Sequence, residues 1–115
     1  ANDKGAIVSP ALSKENCKII SDVMGVEVLQ KKISGTHLAG VTLRANNTGA
    51  AIHPEAEEKD IEIIADVLGV NVEKSSINGG VPYVSSGILA NNNCIVVGSL
   101  TNGPEIMNLT KAFLN

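Results

Sequence analysis

Apolar residues follow two different spacings along the chain, and the two spacings alternate in a fixed order. Short apolar runs such as Gly5–Val8 and Gly49–Ile52 are bounded by turn-forming residues, which predicts strands. Pro10 and Pro54 end these runs, because proline has no N–H to donate to a sheet. Segments in which apolar residues recur every three or four positions come next and predict helices. The sequence therefore predicts a mixed α/β fold.

The first predicted helix begins after Ser13 and ends before Gly25. Serine is a favoured N-cap, and glycine readily adopts the left-handed conformation of a helix C-cap. Four apolar residues lie on one side of this helix and are expected to face the core: Cys17, Ile20, Val23 and Met24.

Two further helices are predicted from the same features. The second runs from about Glu57 to Leu68, with Gly69 as its C-cap, and the third opens at Gly103 and Pro104. Their expected inner faces consist of Ile61, Ile64, Val67 and Leu68 in the second helix and of Met107, Thr110, Phe113 and Leu114 in the third.

The stretch Arg44–Pro54 recurs in modified form at both ends of the chain. Ala-Asn steps begin at Ala1, Ala45 and Ala90, so they are 44 and 45 residues apart. Such a spacing is typical of repeat proteins. Turn-forming residues follow each step, and we interpret the stretch as the tip of a hairpin that joins one repeat to the next.

Each repeat is predicted to run strand, helix, strand, strand. In the first repeat the last two strands are Val26–Gln30 and Val41–Ala45, and the extra residue of the second repeat is expected within Gly79–Pro82. We expect one partial domain over residues 1–115, with repeats at 1–44 and 45–89 and a truncated repeat at 90–115. The chain has no initiator methionine and opens in mid-pattern, which predicts that it is part of a longer protein.

Composition and charge narrow the class of protein. Hydrophobic residues make up 43% of the chain and aromatic residues only 2%, so the core must consist of Ile, Val, Leu and Ala. The net charge of −3, with nine dispersed basic residues, argues against a DNA-binding protein that neutralises many phosphates. No apolar run approaches the roughly 20 residues that span a bilayer, and no signal peptide is present, which predicts a cytoplasmic protein. Cys17 and Cys94 are expected to be buried thiols in a reducing compartment.

Motifs in all three repeats resemble those of the archaeal translation initiation factor six family. They are Asp22–Val28, Ala45–Pro54, Asp66–Val70, Ile77–Pro82 and Gly98–Glu105. The resemblance implies the pentein fold, in which five strand-rich repeats form a closed, propeller-like ring with the helices outside. A complete member of the family is about twice as long as this chain, so the resemblance implies the C-terminal half.

The resemblance also implies a function. Members of the family bind the large ribosomal subunit on the face that meets the small subunit, and they keep the two subunits apart. They also take part in making the large subunit. The implied mechanism is steric and non-enzymatic, and the implied partner is a ribosomal protein at the intersubunit face, with nearby rRNA. A half ring would expose sheet edges and an apolar face, so we expect it to pair with the missing N-terminal half or to self-associate.

Two equivalent loops are the best candidates for contact with the ribosome. Both are rich in small residues and carry an exposed apolar group, and the single tyrosine of the chain lies in the second of them. The candidate contact residues are Thr36, His37, Leu38, Asn78, Gly79, Gly80, Val81 and Tyr83.

Two alternative functions remain open at this stage. Other penteins hydrolyse guanidino substrates with a cysteine nucleophile, for which Cys94 with His53 would be the candidates, or the chain is a non-catalytic repeat module with another partner. Cys94 is better explained as a small apolar residue, because no acidic pair accompanies it. His53 is expected to form hydrogen bonds at a strand end, and His37 is expected to lie on the surface.

Cofactor and metal sites are not predicted. The two histidines and two cysteines lack the spacing of metal ligands. Asn78–Pro82 lacks the Gly-Lys-Ser/Thr ending of a phosphate-binding loop. The acidic run Glu55–Glu62 is expected to favour the helix dipole and to cover a solvated outer face.

Overall fold

The computed structural model describes residues 1–114, which form seven short strands, four α-helices and one 3-10 helix. The strands are β1 (Gly5–Val8), β2 (Glu27–Gln30), β3 (Leu43–Ala45), β4 (Gly49–Ile52), β5 (Asn71–Lys74), β6 (Ile88–Ala90) and β7 (Ile95–Val97). The helices are α1 (Lys14–Met24), α2 (Ala39–Thr42), α3 (Glu58–Leu68) and α4 (Gly103–Phe113), and the 3-10 helix spans Val84–Gly87.

The strands of residues 1–114 form three separate sheets and no closed sheet. In the middle sheet, β4 pairs antiparallel with β3 and parallel with β5, with Ala51 opposite both Arg44 and Glu73. The first sheet contains only the parallel pair β1 and β2, and the last contains only the antiparallel pair β6 and β7. The predicted order of strand, helix, strand, strand is found twice, as β1, α1, β2, β3 and as β4, α3, β5, β6, with a short helix before the last strand each time.

One predicted strand is shorter than expected. Val41–Ala45 was predicted to be extended, but Ala39–Thr42 forms a short helix and the strand begins at Leu43. The Thr42 hydroxyl donates hydrogen bonds to the carbonyl oxygens of Leu38 and Ala39, both at 3.3 Å. Because this side chain bonds its own preceding turn, the local helical conformation is favoured over a strand. The 3-10 helix Val84–Gly87 occupies the equivalent place in the second repeat.

The predicted helix caps are confirmed. The Ser13 hydroxyl accepts a hydrogen bond from the Asn16 N–H at 3.1 Å, which begins α1. Gly25 and Gly69 end α1 and α3 with φ values of 67° and 64°, in the left-handed region that favours glycine. Local residue choice therefore determines where these helices begin and end.

The helices α3 and α4 pack against strands of the preceding repeat. Helix α3 packs on β1 and β2, and α4 packs on β4 and β5. The predicted inner face of α3 is confirmed at Ile64, Val67 and Leu68, which are buried. Two apolar clusters result, one around α3 and β4 and one around α4, β4 and the 3-10 helix.

The prediction that one face of α1 is buried is wrong. None of its residues is buried, and Val23 is 81% exposed although it occupies the place of the buried Val67 of α3. Burial of such a face requires strands of a preceding repeat, and within residues 1–114 no strands precede β1. The apolar face of α1 is therefore exposed or half-buried within residues 1–114.

The predicted inner face of α4 is wrong for a different reason. Met107, Thr110 and Leu114 are exposed, and among the predicted residues only Phe113 is buried. The other buried residues of this helix are Glu105, Leu109 and Ala112. The buried stripe of α4 is therefore rotated relative to the prediction, because Leu109, Ala112 and Phe113 pack on β4 and β5.

Candidate interaction surface

The two loops predicted to contact the ribosome are built on the same turn. Ile33 and Thr36 exchange backbone hydrogen bonds of 3.2 and 3.0 Å across the first turn. Ile77 and Val81 exchange bonds of 2.9 and 2.8 Å across the second, which is longer by one residue. The extra residue expected within Gly79–Pro82 is therefore accommodated in this turn.

The extra residue is accommodated by backbone conformations that favour glycine. Ser34 and Gly35 have positive φ values of 51° and 79°, and Asn78 and Gly79 match them at 49° and 78°. Gly80 then adds a third positive φ of 114°. A side chain is strained in this region, so glycine suits the inserted position.

The structure brings the ends of the two loops near each other. Leu38 immediately precedes α2 and is 62% exposed, and Tyr83 immediately precedes the 3-10 helix and is 48% exposed. Because α2 packs against the 3-10 helix, these two side chains lie at the starts of neighbouring elements. Val81 is also exposed, so apolar groups from both loops are available for contact.

The remaining candidate residues differ in accessibility. His37 is exposed, as expected, and Thr36 is half-buried, with its hydroxyl accepting a hydrogen bond from the Leu38 N–H at 3.2 Å. Gly79 and Gly80 are exposed. Asn78 is half-buried, and its N–H donates to the Thr101 hydroxyl at 3.2 Å. Thr36 and Asn78 therefore shape the loops more than they present side chains to solvent.

The ring of His53 contacts the ring of Tyr83, a pairing that the sequence did not predict. The two rings meet edge to face, with their centroids 5.9 Å apart and their planes at 66°. His53 is buried, and its Nδ1 accepts a hydrogen bond from the Glu55 N–H at 3.0 Å. The backbone N–H of His53 donates to the Thr42 carbonyl at 2.8 Å. The predicted hydrogen-bonding role of His53 at a strand end is confirmed.

Glu105 is the residue near this surface that sequence reasoning missed. It lies in the first turn of α4 and is only 4% exposed. Its carboxylate accepts four hydrogen bonds, from the Ser76 hydroxyl at 2.6 Å, the Gly79 and Gly80 N–H groups at 2.9 Å each, and the Asn102 N–H at 3.0 Å. One buried carboxylate therefore joins the start of α4 to the second loop.

The hydrogen bonds determine the charge of this group. Burial opposes ionisation, but the bonds from Ser76, Asn102, Gly79 and Gly80 outweigh it and lower the pKa of Glu105 from 4.5 to about 2. Glu105 is therefore ionised at neutral pH. The available sequence signal was the capping box Asn102-Gly-Pro-Glu105, in which the Asn102 side chain accepts from the Glu105 N–H.

Part of the acidic run is buried, which corrects the expectation of a solvated face. Asp60 is buried and pairs with Lys31 at 2.8 Å. Glu57 and Glu58 remain exposed and pair with Lys59 at 3.1 Å and with Lys74 at 2.7 Å. Asp60 lies inside because α3 packs on the preceding repeat, which covers the side of its first turn that faces β2.

The structure does not favour a nucleophilic role for Cys94. The thiol was expected to begin a buried strand, but Cys94 is exposed and precedes the first residue of β7. The groove beside it is lined by Arg44, Leu89, Ala90, Asn91, Cys94 and Val96. Within the described residues this groove contains no histidine, the usual general base for a thiol nucleophile.

Cys17 was expected to be buried but is half-buried, and both cysteines are free. Among residues 1–114, no group of three or more His, Cys, Asp or Glu side chains is arranged to hold a metal ion. None of the helices described in this part of the chain is long and apolar enough to cross a membrane.

Comparison with known proteins identifies the family. The sequence model of the eIF-6 family matches residues 1–112. The chain is 76% identical over its whole length to translation initiation factor 6 of Nitrosopumilus maritimus, covering 52% of that protein. It is 60% identical over 97% of its length to the same factor of Cenarchaeum symbiosum and 59% identical over 96% to that of Pyrococcus furiosus, covering 51% and 49% of those proteins. The chain thus spans about half the length of these relatives, and it belongs to the eIF-6 family.

Proposed function

We propose that the protein containing this chain is a translation initiation factor that binds the large ribosomal subunit and prevents its association with the small subunit. The match of residues 1–112 to the eIF-6 family carries this proposal. Its relatives in several archaea bear the name translation initiation factor 6. The proposed mechanism is steric, because a protein that occupies the intersubunit face blocks docking of the other subunit without any bond-making step.

The contact surface we propose consists of the two loops around Leu38 and Tyr83. Tyrosine is enriched among the residues that anchor interfaces, whereas Lys, Glu and Asp are depleted there. Tyr83 rests against the buried His53, and the exposed Val81 lies two residues before it. We propose a ribosomal protein at the intersubunit face as the main partner, with neighbouring rRNA, and a further role in the production of the large subunit in the cytoplasm.

We propose that the chain forms the C-terminal half of a ring of five repeats. The packing of α3 on β1 and of α4 on β4 supports this architecture, because each repeat uses the same face to cover its predecessor. The same two kinds of surface, a helix face and a sheet face, are exposed at the two ends of the chain. Val23 and Met24 are exposed on α1, and Leu89 and Val96 are exposed on the sheet of β6 and β7. These faces fit either the other half of a ring or a second copy of the chain.

The function is tested by binding to purified large subunits. The protein containing this chain should sediment with large subunits in a sucrose gradient and should reduce the formation of joined ribosomes when small subunits are added. A Leu38→Ala, Tyr83→Ala double variant should lose most of this binding. Met107→Ala is the matched control, because Met107 is exposed and apolar but lies on α4. Wild-type protein that neither sediments with large subunits nor changes their association would refute the proposal.

A further inference from the structure

The segment that opens α4 binds the turn Asn78–Gly80 through hydrogen bonds. Oε1 of Glu105 accepts the hydrogen bond from the Gly79 N–H, and Oε2 accepts those from Gly80 and from the Ser76 hydroxyl. The Thr101 hydroxyl, four residues before Glu105, accepts from the Asn78 N–H. Three consecutive N–H groups of this turn are therefore bound by the segment that opens α4.

The backbone of this turn loses much conformational freedom when it becomes ordered. Asn78, Gly79 and Gly80 all have positive φ values, and glycine loses more conformational freedom on ordering than any other residue. Two adjacent glycines in an exposed turn would otherwise sample several conformations. Hydrogen bonds to an ionised, buried carboxylate are stronger than those to neutral acceptors, so Glu105 favours one conformation over the others.

The first repeat shows the same turn without this support. Asp60 is the third residue of α3, as Glu105 is the third residue of α4, so the two acids occupy equivalent positions. Asp60 is one methylene shorter and is paired with Lys31. A cavity of about 490 Å³ lies at this place, and Asp60, Lys31, Ser34 and Gly35 are among the residues that line it. Within residues 1–114, the Asp60 carboxylate thus forms no hydrogen bond to the turn of the first repeat.

We infer that Glu105 is a positioning residue that holds the loop Asn78–Tyr83 in a preformed conformation for contact with the large ribosomal subunit. The inference rests on the proposed function. A loop that is ordered before binding loses less conformational entropy when the complex forms, which raises affinity without any new contact. Of the two equivalent loops, the second is then the preformed contact, and the first, around Leu38, is the one that adapts.

Amide hydrogen exchange in the protein containing this chain tests the inference directly. Glu105→Gln keeps the size of the side chain but removes the charge and one of the two acceptor oxygens. Exchange at Gly79 should become about tenfold to a hundredfold faster, as expected for the loss of a charge-assisted hydrogen bond. Exchange at Gly80 should accelerate less, because its N–H also donates to the Ile77 carbonyl at 3.2 Å. Glu62→Gln is the matched control, because it makes the same change of charge at an exposed position of α3, where the side chain has no hydrogen bond or ion pair among residues 1–114. It should leave exchange at the two glycines within about threefold of the wild-type rate, as expected for a surface substitution.

A second measurement separates a specific effect on the loop from general destabilisation. In the wild-type protein, exchange at Gly79 and Gly80, corrected for the intrinsic pH dependence, should accelerate when the Glu105 carboxylate is protonated. Exchange in α3, which has no contact with this carboxylate among the described hydrogen bonds, should not follow the same titration. If neither Glu105→Gln nor acid changes exchange at the two glycines, the inference is overturned.

Binding distinguishes failure of the inference from failure of the proposed function. If the inference is right, Glu105→Gln lowers the affinity for large subunits at least about fivefold, with most of the change in the association rate or in the entropy of binding. Faster exchange without any loss of affinity overturns the assignment of this loop as the preformed contact. Wild-type protein that fails to bind large subunits overturns the proposed function, whatever the exchange rates show.

Discussion

The side-chain amide of Asn46 donates a hydrogen bond from Nδ2 to the carbonyl oxygen of Asn91 at 2.9 Å. The same contact is made one repeat earlier, where Nδ2 of Asn2 donates to the carbonyl oxygen of Asn46 at 3.2 Å. Within each tip the asparagine Oδ1 accepts from the backbone, as Asn46 does from Thr48 and Gly49 at 2.8 Å each. Each asparagine therefore shapes its own turn, and the first two also bind the tip of the following repeat.

Asn46→Ala should destabilise the protein strongly for this reason. The substitution removes the bond to Asn91 and leaves the buried Gly49 N–H without its acceptor, at a cost of about 2 to 4 kcal/mol. Urea denaturation measures the change in the free energy of unfolding. Asn93→Ala is the control, because Asn93 is exposed at a tip and its side chain has no hydrogen-bond partner within residues 1–114. Equal stability of the two variants would show that the contacts between tips contribute little.

Gly49→Ala tests how closely the helices approach the preceding strands. A Cβ at this position would collide with the carbonyl group of Ala112 on α4, and that backbone cannot move without disturbing the core. We expect the melting temperature to fall, with a loss of about 3 kcal/mol or more. Gly40→Ala is the matched control, since nothing lies within 4 Å of the added Cβ and its position in α2 permits a side chain. A fully stable Gly49→Ala protein would contradict the observed packing of α4.

The pH dependence of stability should show a contribution from Glu105. Its pKa is lowered from 4.5 in the unfolded chain to about 2 in the folded protein, so the folded state binds the proton less tightly. The contribution is complete above about pH 4.5 and is lost as the pH falls towards 2. The difference in unfolding free energy between the wild type and Glu105→Gln should therefore shrink over this range. A difference that is independent of pH would show that the charge is not what stabilises the site.

Association of the isolated chain should depend on the exposed face of α1. Val23 and Met24 lie where α3 buries its contacts with the preceding repeat, so in the isolated chain they favour contact with another molecule. We expect a dimer or larger species by light scattering, and Val23→Glu should shift it towards the monomer. Ile63→Glu provides the control, because Ile63 is exposed on α3 at a position that packs against neither cluster. A monodisperse monomer of the 11.9 kDa wild-type chain would contradict this prediction.

The sequence determined features whose cause is local. Ser13, Gly25 and Gly69 set the ends of helices, because cap preferences depend on the backbone conformation of one residue. The spacing of the Ala-Asn steps predicted that the order of elements recurs along the chain, and the strands Gly5–Val8 and Gly49–Ile52 lie where the apolar runs predicted. The candidate loops were also located from the sequence, since turns of small residues are recognisable without a partner.

Only the tertiary structure decided which residues face which surface. Val23 and Val67 occupy equivalent places in similar helices, yet one is exposed and the other buried, because strands of a preceding repeat cover only the second. Glu105 and Asp60 look like ordinary surface acids near helix starts, yet both are buried. One binds a turn and the other a lysine. Burial and hydrogen-bond partners depend on what another part of the chain places opposite a residue, and that information is not contained in any local pattern.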